Sequence, residues 1–421
     1  MPGHPVLPSG PRDLRRGAAL GLVFVIALGV AAGSGSWDRY ADPAADLAAA
    51  DADITHSGDP GGGPGDDAGG GAGAAGGREP DAGSAGPGMA DRAAVARAAA
   101  LAAAVGGSGK AAAQDVVSRS GDRWGAVYDP GEFADFARGL AGHWSGVGLW
   151  AARAADGRIT VDRVEPGGPA DRAGIRPGRT LLDVDGHEVT GSAPGAVVDL
   201  LRGPVDSTVV LGLREPDGGP RRAVALRRAL LTADPVTVRA LPGGEVLIRV
   251  AEFTAGSGDR VREAVAAVPA GHGVVLDLRG NPGGLLGEAA EAAGAFLDGG
   301  LVGTYEVRGE ERALYADEGG DTGRRLVALV DGGTMSAAEL LAGALQDRGR
   351  ALVVGTRTFG KGTVQLPTEL PDGSVAELTV GTWRTPAGRK AEGCGIAPDV
   401  PAAERAEERA RAVLGGPDPR G

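Results

Sequence analysis

The sequence predicts a multidomain protein of the α+β and α/β classes, in which a small β module precedes a mixed-sheet βαβ core. Three observations predict it. Residues from about His143 to Leu230 form short β-like runs broken by Gly and Pro. From about Val236 apolar strands alternate with amphipathic helices, the pattern of a sheet buried by its helices. Ahead of both lies a stretch, 41–88, with almost nothing apolar beyond alanine, which cannot offset the entropy of ordering and reads as a disordered linker.

Taken in chain order, the first segment is GAALGLVFVIALGVAAG, Gly17–Gly33, uncharged and near the lower length limit for a membrane span. Arg12, Arg15 and Arg16 precede it, which places the N-terminus inside and the rest of the chain outside. The small residues that follow leave a cleaved signal peptide open as the alternative to an uncleaved transmembrane anchor. The expected location is the cell membrane, with the bulk of the chain extracytoplasmic, or secretion if the segment is removed. Residues 1–40 are therefore an anchor or signal and 41–88 the linker. Residues 89–142 form a helical region in which ADRAAVARAAALAAAV suggests one alanine-rich helix from Met89 to Val117. The β module is assigned to 143–230, the βαβ core to 231–402, and a C-terminal helix and tail to 403–421. In the core, VVLDL (Val274–Leu278), LVALV (Leu326–Val330) and ALVVG (Ala351–Gly355) are strands, with helices near Leu285–Leu297 and Ser336–Asp347. Right-handed crossovers put the carboxyl ends of these strands on one edge. Three glycine-rich turns, RGNPGG, DGGTMS and GTRTFGKG, follow those ends and so converge on one crevice.

Net charge is -12, and no Lys/Arg cluster appears beyond the N-terminus, which argues against a nucleic-acid partner. Cys394 is the single cysteine, which excludes an intrachain disulfide and any cysteine-based metal cluster. No metal or other cofactor is called for.

Ser336 begins a helix with Glu339 three residues on, a pattern that makes a capping box without any catalysis. The same strand-turn-helix setting projects a nucleophilic serine, with the Ala337 N–H free at the helix start. The Arg279–Gly284 turn offers another exposed N–H, from Gly283 or Gly284, and two amides facing one point make an oxyanion hole. A base is needed. Of the five histidines only His272 lies in the core, and it precedes its strand, at the edge away from the crevice. Lys361 follows ALVVG on the correct edge, in a chain with only two other lysines, Lys110 and Lys390. A buried lysine amine becomes neutral, whereas a guanidinium does not; the bland alternative is a solvated loop lysine. Gly355–Lys361 also fits the start of a phosphate-binding loop, but Gly362 stands where a Ser or Thr is required and extended chain follows instead of a helix.

The motifs VLDLRGNPGG, SAAELLAGALQD, TFGKGTVQ and TPAGRKAEGCGIAPDV, in this order, resemble those of the carboxyl-terminal processing (tail-specific) serine protease family, over about Arg123 to Val400. The resemblance implies a ClpP/crotonase-like core, Ser336 as nucleophile, Lys361 as general base and Gln365 as the residue positioning the lysine. It also implies an oxyanion site from the RGNPGG turn and the Ala337 amide. The β module then resembles a PDZ domain, with Gly146, Val147, Gly148 and Leu149 as the loop that binds a peptide carboxylate. The implied function is a serine endopeptidase that recognises exposed C-terminal tails of protein substrates. The alternative is a non-catalytic PDZ adaptor on a protease-like scaffold. Oligomeric state is left open.

Overall fold

The computed structural model describes residues 88–416, save Ala155, Ala233 and Arg308. The apolar run Gly17–Gly33, the linker apart from Gly88, and the last five residues lie outside the described residues. No helix among the described residues is long and apolar enough to cross a membrane.

The expected single N-terminal helix is two, α1 (Arg92–Ala104) and α2 (Gly109–Ser120). Gly106 adopts a φ of 74°, and Ser108 then caps α2 by accepting from the Ala111 N–H at 3.1 Å. Alanine favours helix on either side, but the glycine pair and the serine cap stop one helix and start the next. The aromatic segment that follows forms β1 (Ala126–Tyr128) and α3 (Pro130–Leu140), the latter with a capping box between Asp129 and Glu132.

The β module opens with β2 (His143–Gly146), continues through β3 (Leu149–Arg153), β4 (Ile159–Val164), α4 (Pro169–Arg172), β5 (Thr180–Val184), β6 (His187–Glu188), α5 (Pro194–Leu201), β7 (Thr208–Arg214) and β8 (Arg222–Arg227), and closes with β9 (Ala229–Thr232). Its main sheet is antiparallel in the order β3-β4-β5-β7-β8, with β6 added to β5, while β2 pairs with β9. Ile159, Val161, Leu181, Val184, Val209 and Leu211 fill its core.

Next come β10 (Val236–Ala240), β11 (Val246–Val250), α6 (Ser257–Ala266), β12 (Val274–Asp277), α7 (Leu286–Gly294), β13 (Leu301–Val307), β14 (Glu310–Tyr315), β15 (Leu326–Val330), α8 (Ala337–Asp347), β16 (Leu352–Gly355), β17 (Thr363–Glu369), β18 (Val375–Arg384), β19 (Val400–Pro401) and α9 (Ala406–Gly415). The main sheet runs β10-β11-β12-β15-β16-β19, parallel from β11 to β19. It is buried on both faces. Ile248, Leu276, Ala328 and Val353 pack under α7 and α8, whereas Leu247, Val275, Val327 and Val354 pack under α9. That alternation explains why these strands are apolar at every position.

A second sheet, unforeseen as a sheet although TVQLPTEL was expected to be extended, has the order β1-β18-β13-β14, with β17 also paired to β18. Ala376 and Leu378 of β18 pack with Val95, Val117 and Val127 from the N-terminal region. Side chains alternate along a strand, so Glu377 and Thr379 point to the opposite face.

Gly355 ends β16 at a φ of 136°, and a Cβ there would lie 1.9 Å from the Val330 carbonyl oxygen. Gly355→Ala is expected to cost about 2 to 3 kcal/mol, read as a lowered urea midpoint, because the β15–β16 pair must part to admit the methyl group.

Candidate active site

The three turns meet as their strand order requires. Thr334 Oγ donates to the Leu278 carbonyl at 2.9 Å, the Met335 N–H donates to the Asn281 carbonyl at 2.9 Å, and the Phe359 N–H donates to the Thr334 carbonyl at 3.0 Å. Gly280 N–H adds a bond to Asp331 Oδ1 at 2.9 Å. The turn after β12 is thus stitched to the turn after β15, and that turn to the loop after β16.

Ser336 sits at the start of α8 with φ 55° and ψ -115°, a conformation uncommon outside glycine. Such a backbone costs on the order of 1 to 3 kcal/mol and persists where its surroundings enforce it. Gly283 is one enforcer: a Cβ on it would meet Ser336 Cβ at 2.9 Å and the Met335 carbonyl oxygen at 3.0 Å. Only a glycine, here at φ 103°, lets the two turns approach this closely. The Ser336 side chain is wholly buried, and its Oγ makes no hydrogen bond among the described residues. The capping box its position suggested is made on the Glu339 side, which accepts the Ser336 N–H, while no hydrogen bond to the hydroxyl itself is found among the described residues.

Glu339 is the other enforcer. Its Oε2 accepts from the Ser336 N–H at 2.8 Å and from the Lys361 N–H at 2.9 Å; its Oε1 accepts from the Gly360 N–H at 2.8 Å and from the Thr358 hydroxyl. Burial pushes this carboxyl up, while its four donors pull it down. One side chain thereby fixes the backbones of both Ser336 and Lys361.

Lys361 is 1% exposed, which excludes the solvated-loop alternative. Its ammonium lies 4.8 Å from the centre of the Trp124 ring, and its carbonyl accepts from the indole N–H of Trp383 at 3.1 Å. Burial drives the amine down from its ordinary value to about 8, against the opposing pull of Glu377, Glu392, Asp122 and Glu339. Phe359, two residues before the lysine, is 45% exposed and packs edge-on against Trp124. The dry wall is Trp124 instead, delivered from the segment between α2 and β1. The chain after Lys361 is strand β17, and the Gly360 and Lys361 amides are occupied by Glu339, so no phosphate cradle forms.

Gln365, in β17, is buried, and its amide nitrogen donates to Thr363 Oγ at 2.9 Å and Thr379 Oγ at 3.1 Å. Its Oε1 is buried without a hydrogen bond. Thr379 in turn is held by Asp122, which accepts its N–H at 2.9 Å and its hydroxyl at 2.7 Å. In the turn after β12, the Gly283 N–H donates to Asn281 Oδ1 at 2.8 Å. Gly284 follows at φ 125°, and Ala337 is the first helical residue of α8, where an N–H has no intrahelical partner. In the β module, Val147 and Gly148 link β2 to β3, with Gly148 at φ 71°. His272 precedes β12, away from this crevice, as expected.

Residues 246–402 match the model of peptidase family S41, and residues 160–215 match that of a PDZ domain. The chain belongs to peptidase family S41. It is 38% identical over 296 residues to the chloroplastic C-terminal processing peptidase of Tetradesmus obliquus, covering 65% of this chain and 63% of that protein. It is 36% identical over 310 residues to the chloroplastic carboxyl-terminal-processing peptidase 2 of Arabidopsis thaliana, with 69% and 59% covered. The solved photosystem II D1 C-terminal processing protease is similar at 33% identity and a TM-score of 0.47, covering 73% of this chain and 86% of that one. The S41 chain spans less than two thirds of the length of either curated relative named here. It combines a mixed α/β protease-type core with a PDZ module, as the sequence predicted.

Sequence reasoning marked Trp124 as an aromatic that should pack and Asn281 as part of a turn without giving either a role at the site, and it missed Asp122 and the structural role of Glu339. Glu339 carried a local signal, as a capping-box acid; Trp124 and Asp122 act across long sequence separations. Glu339→Gln replaces a carboxylate oxygen by an NH2 that faces N–H and O–H donors. It is expected to lower stability by about 2 kcal/mol in urea denaturation, with a larger loss for Glu339→Ala.

Proposed function

We propose that this S41 chain is a serine endopeptidase, with Ser336 as nucleophile and Lys361 as general base, acting on the C-terminal tails of protein substrates. The observation that carries the reading is a buried serine hydroxyl, unspent on any hydrogen bond, whose backbone and that of a desolvated lysine are held by the same carboxylate. Lys361 in its neutral form takes the Ser336 proton as Oγ attacks the scissile carbonyl; the ammonium then protonates the leaving amine, and water resolves the acyl-enzyme. Gln365 Oε1 is an acceptor suited to the lysine ammonium. The Ala337 amide, with that of Gly284 or of Gly283 once released from Asn281, is suited to the oxyanion.

The stretch Gly146–Leu149 receives the substrate's terminal carboxylate on backbone N–H groups while the tail adds as a strand beside β3. This reading keeps the domain division 89–142, 143–230 and 231–402, requires neither nucleic acid nor cofactor, and places these parts outside the cytoplasm. The apolar run Gly17–Gly33 and the arginines before it support attachment to a membrane, or export if that segment is cleaved.

Cleavage of an unstructured protein tail is expected to fall by more than about a thousandfold in both Ser336→Ala and Lys361→Ala. Tail binding without turnover in the unaltered protein would favour the adaptor instead. The base must be uncharged to act, so its activity grows as protons leave it. The pH profile of kcat/KM should accordingly rise about tenfold per unit below about pH 8 and level off above it. Lys361→Arg, whose guanidinium keeps its proton, should be as inactive as Lys361→Ala.

A further inference from the structure

Behind the lysine lies a group that the proposed chemistry does not use. Glu377 is wholly buried in β18, and neither of its carboxyl oxygens has a hydrogen-bond partner among the described residues. It stands opposite Ala126 of β1 and Pro367 of β17, one strand step from Thr379, which anchors Gln365. The face of β18 is decided by packing: Ala376 and Leu378 fill the cluster under α1 and α2, so Glu377 turns away from it. A buried carboxyl without donors is costly, and the protein tolerates it where a charge compensates or where it keeps its proton. The ionisable groups whose charge it feels are Lys361 from the loop after β16, Asp122 from the segment before β1, and Tyr128 from β1; Asp122 joins Thr379, on the same face of β18, to Trp124, whose ring lies against the lysine. Lys361 alone is a cation, and Glu377 is the first of the four acids that pull on it.

We propose that Glu377 is a positioning residue for Lys361: its carboxyl holds the ammonium in the pocket and sets the pH at which the lysine becomes a base. This rests on the Ser336–Lys361 reading and extends it. With Glu377 ionised, the lysine keeps its proton; with Glu377 protonated, the lysine amine is neutral and the pocket carries no net charge from the pair. Burial pushes the Glu377 carboxyl up to about 8, against the pull of Lys361, so the two groups titrate in the same range. Such a pair loses its protons in two linked steps rather than as two independent sites. Glu392 and Glu339 also face Lys361, but the oxygens of Glu339 are taken by four donors, and Glu392 accepts the Gly362 N–H at 2.7 Å.

The test uses the scarcity of lysine. With Lys110, Lys361 and Lys390 as the only lysines, 15N-lysine labelling yields three side-chain signals, assigned by single Lys→Arg variants. Removing the carboxylate removes the pull that keeps Lys361 protonated. In Glu377→Gln the Lys361 titration and the acidic limb of kcat/KM should both move to lower pH, by about one unit. In the unaltered protein the Lys361 signal should follow a two-step curve, and in Glu377→Gln a single-step one. A Lys361 titration that is single-step in the unaltered protein overturns the proposal, and this reading needs no variant to fold. A titration unmoved in a folded Glu377→Gln, checked by its thermal transition, overturns it as well. The lysine signal reports on Glu377 whether or not Lys361 is the base, so the two readings fail separately: activity surviving in Lys361→Ala would remove the dyad, and an unmoved titration would remove the pair.

Discussion

The carboxylate of Glu339 is the joint on which the crevice depends. It is buried at the first turn of α8, and it accepts hydrogen bonds from the backbone of Ser336 on one side and from Thr358, Gly360 and Lys361 on the other. Without that acceptor, amides from two separate turns would be left unsatisfied in a dry interior, a cost that exceeds the gain from most single contacts. The geometry of both turns is therefore over-determined. The unusual backbone of Ser336 can be maintained because neighbours outside its own turn require it.

Desolvation supplies the second constraint. An amine in water keeps its proton at neutral pH; one buried beside the Trp124 ring does not hold it as firmly. The enclosure is assembled from distant parts of the chain. Asp122 receives the N–H groups of Trp124 and Gly125 and both donors of Thr379, and so fastens the N-terminal segment to β18 beneath the lysine. The segment ahead of the β module thus helps build the crevice around the lysine.

The parallel sheet explains why these pieces converge. Strands β12, β15 and β16 lie side by side, each is followed by a glycine-rich turn, and each turn emerges at the same edge. Gly283 marks the closest approach, where any side chain would displace the serine. The acids around Lys361 work against its burial, and the balance between the two leaves an amine close to the range in which it accepts protons.

Much was legible in the sequence, because it resides in local pattern: the strand-helix alternation from Val236, the glycine turns after three strands, Ser336 at a helix start, and a lysine where nearly every other cation is an arginine. Motif order pointed to the carboxyl-terminal processing serine proteases for the same reason. Tertiary structure decided what depends on neighbours remote along the chain. The Ser336 hydroxyl is left unbonded although its position suits a cap, Trp124 and not Phe359 covers the lysine, and Glu377 turns inward from a strand whose adjacent residues face the N-terminal helices. Periodicity tells which residues share a face; it does not tell what is packed against that face, and burial, charge compensation and proton affinity all follow from the packing.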